Sequence, residues 1–457
     1  MLDLSLLGFL VCLLLLGLKR PFIWVLAYIY VDIVAPQKIG WGLAGTLPLS
    51  LIVFVAAFGG WLLLDNKKGS RITLRQGQIA LLLLYCALTT WTAAYPEAAL
   101  TKWAWVWKSL VFAIFLPLTL RTRLRLEATA LFIVLAIGTI VINGGMKTIF
   151  GGGGYGTLSL LVDDNTGLYE GSIISTAAVC TIPLVIWLAK HGTIFPNDWR
   201  VKLFAAGLVF ACLLIPVGTS ARTGLVAAAV LGALMLRSVK YRFVYAGLAG
   251  LAMMAAIPFL PQSFMDRMGT IGGYKSDESA STRVQVWKWT MDYAARNPLG
   301  GGFDSYIGNS FTYQKPVVTM NGEVETVEYV EVTDESRAFH SSYFEMLGEQ
   351  GYPGLLLWLW LQGLGVWQME RVRWRMKKRD GDGSSWQWGL ATALQQAQLV
   401  YLVGAAFVGI AYQPFLFMLI GLQCGLWSYV QRTMRRPNKA VFKRAEDAIH
   451  APAISST

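Results

Sequence analysis

Apolar runs and short polar gaps alternate along almost the whole chain. Many of the runs approach the roughly 20 residues that cross a hydrocarbon core as a helix. The pattern predicts spans over 4–18, 21–36, 45–64, 79–96, 103–120, 127–143, 172–189, 203–219, 224–237, 241–260, 353–369, 393–411 and 413–430. Taken literally this is about 13 spans; if the short pair 4–18 and 21–36 does not cross twice, it is about 12, with both termini on one side. One long polar stretch, 261–352, breaks the alternation. It separates a membrane bundle over 1–260 from C-terminal helices over 353–433 and a tail over 434–457.

Within that stretch the period changes. Val284, Trp287, Met291 and Ala294 recur at helical spacing. Ser281 is placed to cap this helix, which puts Arg283 in its first turn. Gly300–Gly302 then ends it. Ser342 and Glu345 have the spacing of a capping box. Gly348, Gly351 and Pro353 break the helix that follows before the next span. The expected fold class is an all-α polytopic membrane protein with one large outer loop containing short helices.

Composition agrees. The chain is 55% hydrophobic and only 14% charged, against roughly 25% charged in soluble domains. The first run lacks a basic leader and a small-residue cleavage site, so it is expected to remain in the chain. The formal charge of +12 raises the question of nucleic acid. The placement of the basic residues answers it, because they fill every second gap: Lys67, Lys68, Arg71 and Arg75; Arg121, Arg123 and Arg125; Lys190, Arg200 and Lys202; Arg237, Lys240 and Arg242; the run 370–383; and the tail. By the positive-inside rule these gaps are cytoplasmic, and no nucleic-acid partner is implied. The gaps left over, including 144–171, 217–224 and 261–352, face outward. All 5 cysteines lie in apolar runs, so neither a disulfide nor a cysteine-ligated metal is expected.

Three residues on the outer face carry the candidate chemistry. Arg222 stands in the short turn "VGTSARTG" between two spans. An arginine at the bilayer centre costs about 2.5–3.5 kcal/mol, so it faces a polar cavity or an anion, or else simply snorkels to the interface. Arg283, near a helix start, is either solvated or close to an anion that offsets the helix dipole. His340 is one of 3 histidines and the only one in an outward gap; it sits beside a helix N-terminus that favours anions and a neutral imidazole. The alternative for His340 is a satisfied interfacial side chain. Lys108 is a further cation near a span end, although Trp103, Trp105 and Trp107 around it read as an interfacial belt. Asp163–Asp164 could hold a divalent cation or simply be solvated. The glycine run 151–154 lacks the GK[ST] of a phosphate-cradling loop, and no HExxH is present.

At "TSARTG" (219–224), "STRVQVWKWTMDYAARNPLGGGFDSY" (281–306) and "FHSSYFEMLGEQGYPG" (339–354) the chain resembles the O-antigen ligase and polymerase superfamily of bacterial membrane glycosyltransferases. A long external loop between late spans is shared as well. The family pattern usually has Asn after the histidine, where this chain has Ser341, which leaves the subgroup open. The N-terminal "AYIYVDIVAPQKIGWG" is similar to a ligase subgroup of exopolysaccharide systems. The resemblance implies a GT-C-like bundle in the bacterial inner membrane with its active site facing the periplasm. It implies an undecaprenyl diphosphate-linked glycan as donor and lipid A-core or another sugar as acceptor, with membrane lipids as surroundings. It implies inverting transfer with His340 as base and Arg222 and Arg283 on the diphosphate, with neither a cofactor nor a metal. Rival readings are a glycan polymerase, a protein O-oligosaccharyltransferase and a flippase of lipid-linked sugars. A transporter would instead place ionisable residues at mid-span or show an inverted repeat.

Overall fold

The computed structural model describes residues 2–39, 42–151, 168–237, 241–257, 265, 278–321, 324–381 and 383–434. Asp163, Asp164, His450 and the tail from 435 onward lie outside the described residues.

Helices dominate, as the apolar runs require of a chain whose backbone polar groups must be satisfied in lipid. The first are α1 (Leu2–Lys19), α2 (Phe22–Val34), α3 (Pro36–Ile39), α4 (Leu43–Thr46), α5 (Leu49–Leu63), α6 (Leu74–Trp91), α7 (Pro96–Thr119) and α8 (Arg123–Gly151). Then come α9 (Gly171–His191), α10 (Trp199–Gly218), α11 (Arg222–Leu236), α12 (Arg242–Ala256) and α13 (Glu278–Arg296). After a hairpin, β1 (Ser310–Asn321) and β2 (Val324–Glu335), the chain ends in α14 (Ser342–Asp380), α15 (Trp386–Gly404) and α16 (Pro414–Met434). Among the described residues, 5 segments are long and apolar enough to cross a membrane: Phe22–Ile39, Pro96–Thr119, Arg123–Phe150, Gly171–His191 and Trp199–Gly218. Leu4–Lys19, Leu49–Leu63 and Arg222–Leu236 are shorter apolar helices. α9 packs on α15, α16 on α7, α10 on α8 and α2 on α5. This is an all-α polytopic membrane protein.

The bundle has two distinct ends. At one end Asp65 binds Arg125 at 2.7 Å and Arg121 at 3.3 Å, Arg123 donates to the His191 carbonyl at 2.8 Å, and Arg432 donates to the Arg121 carbonyl at 2.6 Å. Basic gaps far apart in sequence therefore meet at one end, as their alternation predicts. α13, the hairpin, the start of α14 and the loop 405–413 gather at the other end.

Several local expectations change. The span 45–64 is divided at Pro48, because the residue before a proline avoids helical ψ and Leu47 is extended (φ −89°, ψ 137°). The helix carrying Arg283 begins at Glu278, so Arg283 lies in its second turn and Ser281 is not its cap. The helix ends at Arg296, ahead of the glycine run. β1 and β2 pair antiparallel from Ser310↔Glu335 to Asn321↔Val324. The sequence reading did not name this hairpin, although "VETVEYVEVT" is rich in β-branched residues. The span 353–369 lies in a much longer rod, α14, broken at Gly351 (φ 63°, ψ −166°). The break expected from Gly348, Gly351 and Pro353 is thus present, at Gly351.

Candidate active site

α7 starts with Pro96 in its first turn, where a missing N–H costs nothing. This places Lys102 about one and a half turns in. The Lys102 ammonium lies 2.7 Å from Glu349 Oε1, 2.8 Å from Glu345 Oε1 and 3.4 Å from Asp304 Oδ1. All four side chains line a cavity of about 480 Å³ at the loop-bearing end of the bundle. Arg283, His340, Tyr306 and Glu170 line the same cavity.

The carboxylates also hold backbone. Glu349 Oε1 accepts from the Asp304 N–H at 2.9 Å, and Glu345 Oε2 from the Ala411 N–H at 2.9 Å. Ser342 Oγ donates to the Val408 carbonyl at 2.9 Å and accepts from the Ile410 N–H at 2.8 Å. The capping box expected at Ser342 and Glu345 therefore does not form. Ser341 is the N-cap residue, without a side-chain cap bond. Both expected partners are instead drawn to the loop 405–413, whose buried backbone groups need acceptors and donors. Three carboxylates facing one ammonium leave a charge excess. Burial pushes the Glu349 carboxyl up to about 8; Lys102 opposes this, and Glu345 and Asp304 add to it.

The glycine run has a purpose other than ending a helix. Gly301 and Gly302 N–H groups donate to the Gly348 and Glu349 carbonyls at 3.0 and 2.9 Å. Gly300 is left-handed (φ 92°), and a Cβ there would sit 2.5 Å from the Glu349 carbonyl oxygen. At Gly351 a Cβ would sit 2.2 Å from the Pro298 carbonyl oxygen. Only glycine permits this approach, which fixes Asp304 against the first turns of α14.

His340 has a left-handed backbone (φ 48°), as do Asp304 (φ 55°), Ser336 (φ 53°) and Ser220 (φ 50°). Such conformations cost about 1–3 kcal/mol each and concentrate at functional sites. The fixing contacts are on both sides of the histidine: the Trp287 indole donates to the Phe339 carbonyl at 2.9 Å, and Phe339 and Ser341 are buried. His340 keeps an exposed side at the cavity, and partial desolvation, then the Arg283 and Arg337 guanidiniums, hold its imidazole below its ordinary value. It is therefore neutral at pH 7 and able to accept a proton.

The structure brings Arg283 and His340 together in the cavity wall. Arg222 is not among the lining residues. It opens α11, half-buried, and its turn leans on the first turns of α9, where Ser175 Oγ and Thr219 Oγ1 are 2.8 Å apart. Glu170, Ser172 and Ile173 of that same region line the cavity. Lys108 is elsewhere: its ammonium donates to Ser50 Oγ at 3.1 Å, and Ser50 donates to Asp32 Oδ1 at 3.2 Å. The cation of this tryptophan-rich helix that reaches the cavity is Lys102, six residues earlier. The sequence reading missed it, along with Asp304, Glu345 and Glu349.

Residues 207–359 match the family model described as O-antigen ligase. Residues 1–193 match a model described as a family of unknown function. No curated protein matches the chain. The first segment supplies Arg222, Arg283, Asp304, His340, Glu345 and Glu349, and the second supplies Lys102 and Glu170.

Proposed function

Starting from a chain whose residues 207–359 resemble the O-antigen ligase superfamily, we propose that it is a membrane glycosyltransferase acting on the periplasmic face of the bacterial inner membrane. The donor is a glycan on undecaprenyl diphosphate, and the acceptor is the lipid A-core oligosaccharide. The observation that carries this reading is the cavity whose wall joins Arg283 and His340.

The chemistry follows from the groups. His340 is neutral and takes the proton of the acceptor hydroxyl as the oxygen attacks the anomeric carbon. The bond from that carbon to the diphosphate breaks on the opposite face, inverting the centre. Negative charge grows on the leaving phosphate. Arg283 meets it from the cavity wall, and Arg222 holds the donor from the end of α11; guanidiniums grip phosphate with two parallel hydrogen bonds. The polyprenyl tail stays in lipid while the glycan enters the cavity. Two arginines and a base leave no step that calls for a divalent ion, so the reaction is expected to proceed in EDTA.

The test uses the purified full-length chain with undecaprenyl diphosphate-linked glycan and, separately, lipid A-core, a growing glycan and a Ser/Thr-containing protein as acceptor, without ATP. Product on lipid A-core is expected. Product only on another acceptor replaces the ligase reading with the polymerase or protein-glycosylating one. No product on any acceptor, with glycan-lipid movement across vesicles, points to a flippase. His340→Ala should lower transfer by about 10²–10⁴-fold, the usual contribution of a positioned base, with insertion unchanged.

A further inference from the structure

A second site lies at the opposite end of the bundle from His340. α8, α9 and α10 pack together and leave beside them an apolar slot of about 360 Å³, lined by side chains such as Leu131, Leu135, Leu188, Phe204 and Leu208. A volume of this size is that of a ligand cleft. A second cavity, about 480 Å³, adjoins it and shares Ala189, Asn197 and Ala205 with it. Arg200 lines the slot, and Lys190 and Lys202 line the adjoining cavity.

The charge at this mouth is one-sided. Among the described residues, no carboxylate pairs with Lys190, Arg200 or Lys202; Arg200 lies over the exposed Trp199 ring at 5.8 Å. The two acids nearby are engaged with backbone. Glu127 accepts from the Thr193 and Ile194 N–H groups and from Thr193 Oγ1. Asp198 accepts from the Arg200 and Val201 N–H groups at 2.9 and 3.0 Å. Phe195 and Trp199 are exposed beside the cations, as side chains at a headgroup interface are. The depth agrees, because α9 ends and α10 begins here, at the same end as the Asp65 cluster.

We infer that this slot binds one anionic phospholipid, with an acyl chain between α8 and α10 and its phosphate against Lys190, Arg200 and Lys202. Basic pockets between membrane helices recognise such headgroups. The slot lies in the leaflet remote from the candidate active site, so this lipid is neither donor nor acceptor.

Native mass spectrometry of the detergent-purified full-length chain tests the assignment, with phosphatidylglycerol and phosphatidylethanolamine offered separately. The wild type is expected to retain one phosphatidylglycerol in preference. Lys190→Ala/Arg200→Ala/Lys202→Ala should weaken retention about a hundredfold, the order expected when three headgroup-facing cations are removed. Ala205→Trp, which fills the slot, should do the same with the cations intact, and it decides the matter if the triple variant misfolds. Arg371→Ala/Arg375→Ala/Lys378→Ala, an equal charge loss elsewhere, should retain the lipid. Equal retention of the zwitterionic lipid, wild-type retention by Ala205→Trp, or displacement by glycerol phosphate alone overturns the proposal.

Discussion

His340 and Lys102 make opposite demands on their surroundings. Because partial desolvation, Arg283 and Arg337 lower the imidazole's affinity for a proton, the base form persists below the ordinary histidine range. On the proposed mechanism transfer should stay high as pH falls through that range and decline only at a lower pH. Arg337→Ala removes one of the two cations that hold it there. It should raise the acid limb of the kcat/KM profile without abolishing transfer; an unmoved limb would detach His340 from the base role. Lys102 is the reverse case, a cation that carboxylates require. Lys102→Met leaves Asp304, Glu345 and Glu349 facing one another with no cation. Removing one partner from a buried ion cluster costs about 3–5 kcal/mol, so the thermal midpoint should drop sharply. Lys108→Met, outside the cavity, should leave donor binding unchanged.

Helices and glycines set where these groups stand. Gly351 interrupts α14 in a conformation that side chains rarely adopt. Gly351→Ala should destabilise the protein by about 1–3 kcal/mol or more and release Asp304 from the start of α14. Loss of transfer and a lowered midpoint together are the expected readout. Arg222 opens a helix packed tightly on α9: a Cβ at Gly224 would come within 2.6 Å of the Ser175 Cβ. Arg283 rides on α13, which packs on α14 but not within the spanning bundle. Arg222→Lys should therefore lose more transfer than Arg283→Lys, since a point charge on a fixed element cannot re-aim; the reverse order of rates in one assay rejects this division of labour. Much of this scale was legible in the sequence. Apolar period and length gave the helices, and Gly351 with Pro353 gave the kink. The capping box was not legible, because the partners that claim Ser342 and Glu345 come from 405–413, about 65 residues away in the chain. The Lys102 cluster was hidden for the same reason: it joins positions 102, 304, 345 and 349, and a lysine among tryptophans carries no local mark of its partners.

At the scale of the whole molecule, one end gathers arginines and the other gathers the cavity. Single cysteines placed near Gly300 and near Asp380 should react with an impermeant reagent from opposite sides of spheroplasts and inverted vesicles. Labelling of both from one side would break the two-ended arrangement. The cavity wall also joins two lengths of chain that match separate families, with Lys102 from one and its three acids from the other. A hybrid gene that takes residues 207–359 from a relative lacking these acids would strand the lysine. A revertant screen started from a lysine-less strain should return amide replacements at Asp304, Glu345 or Glu349, each restoring growth of the glycan by erasing a charge and not by supplying one.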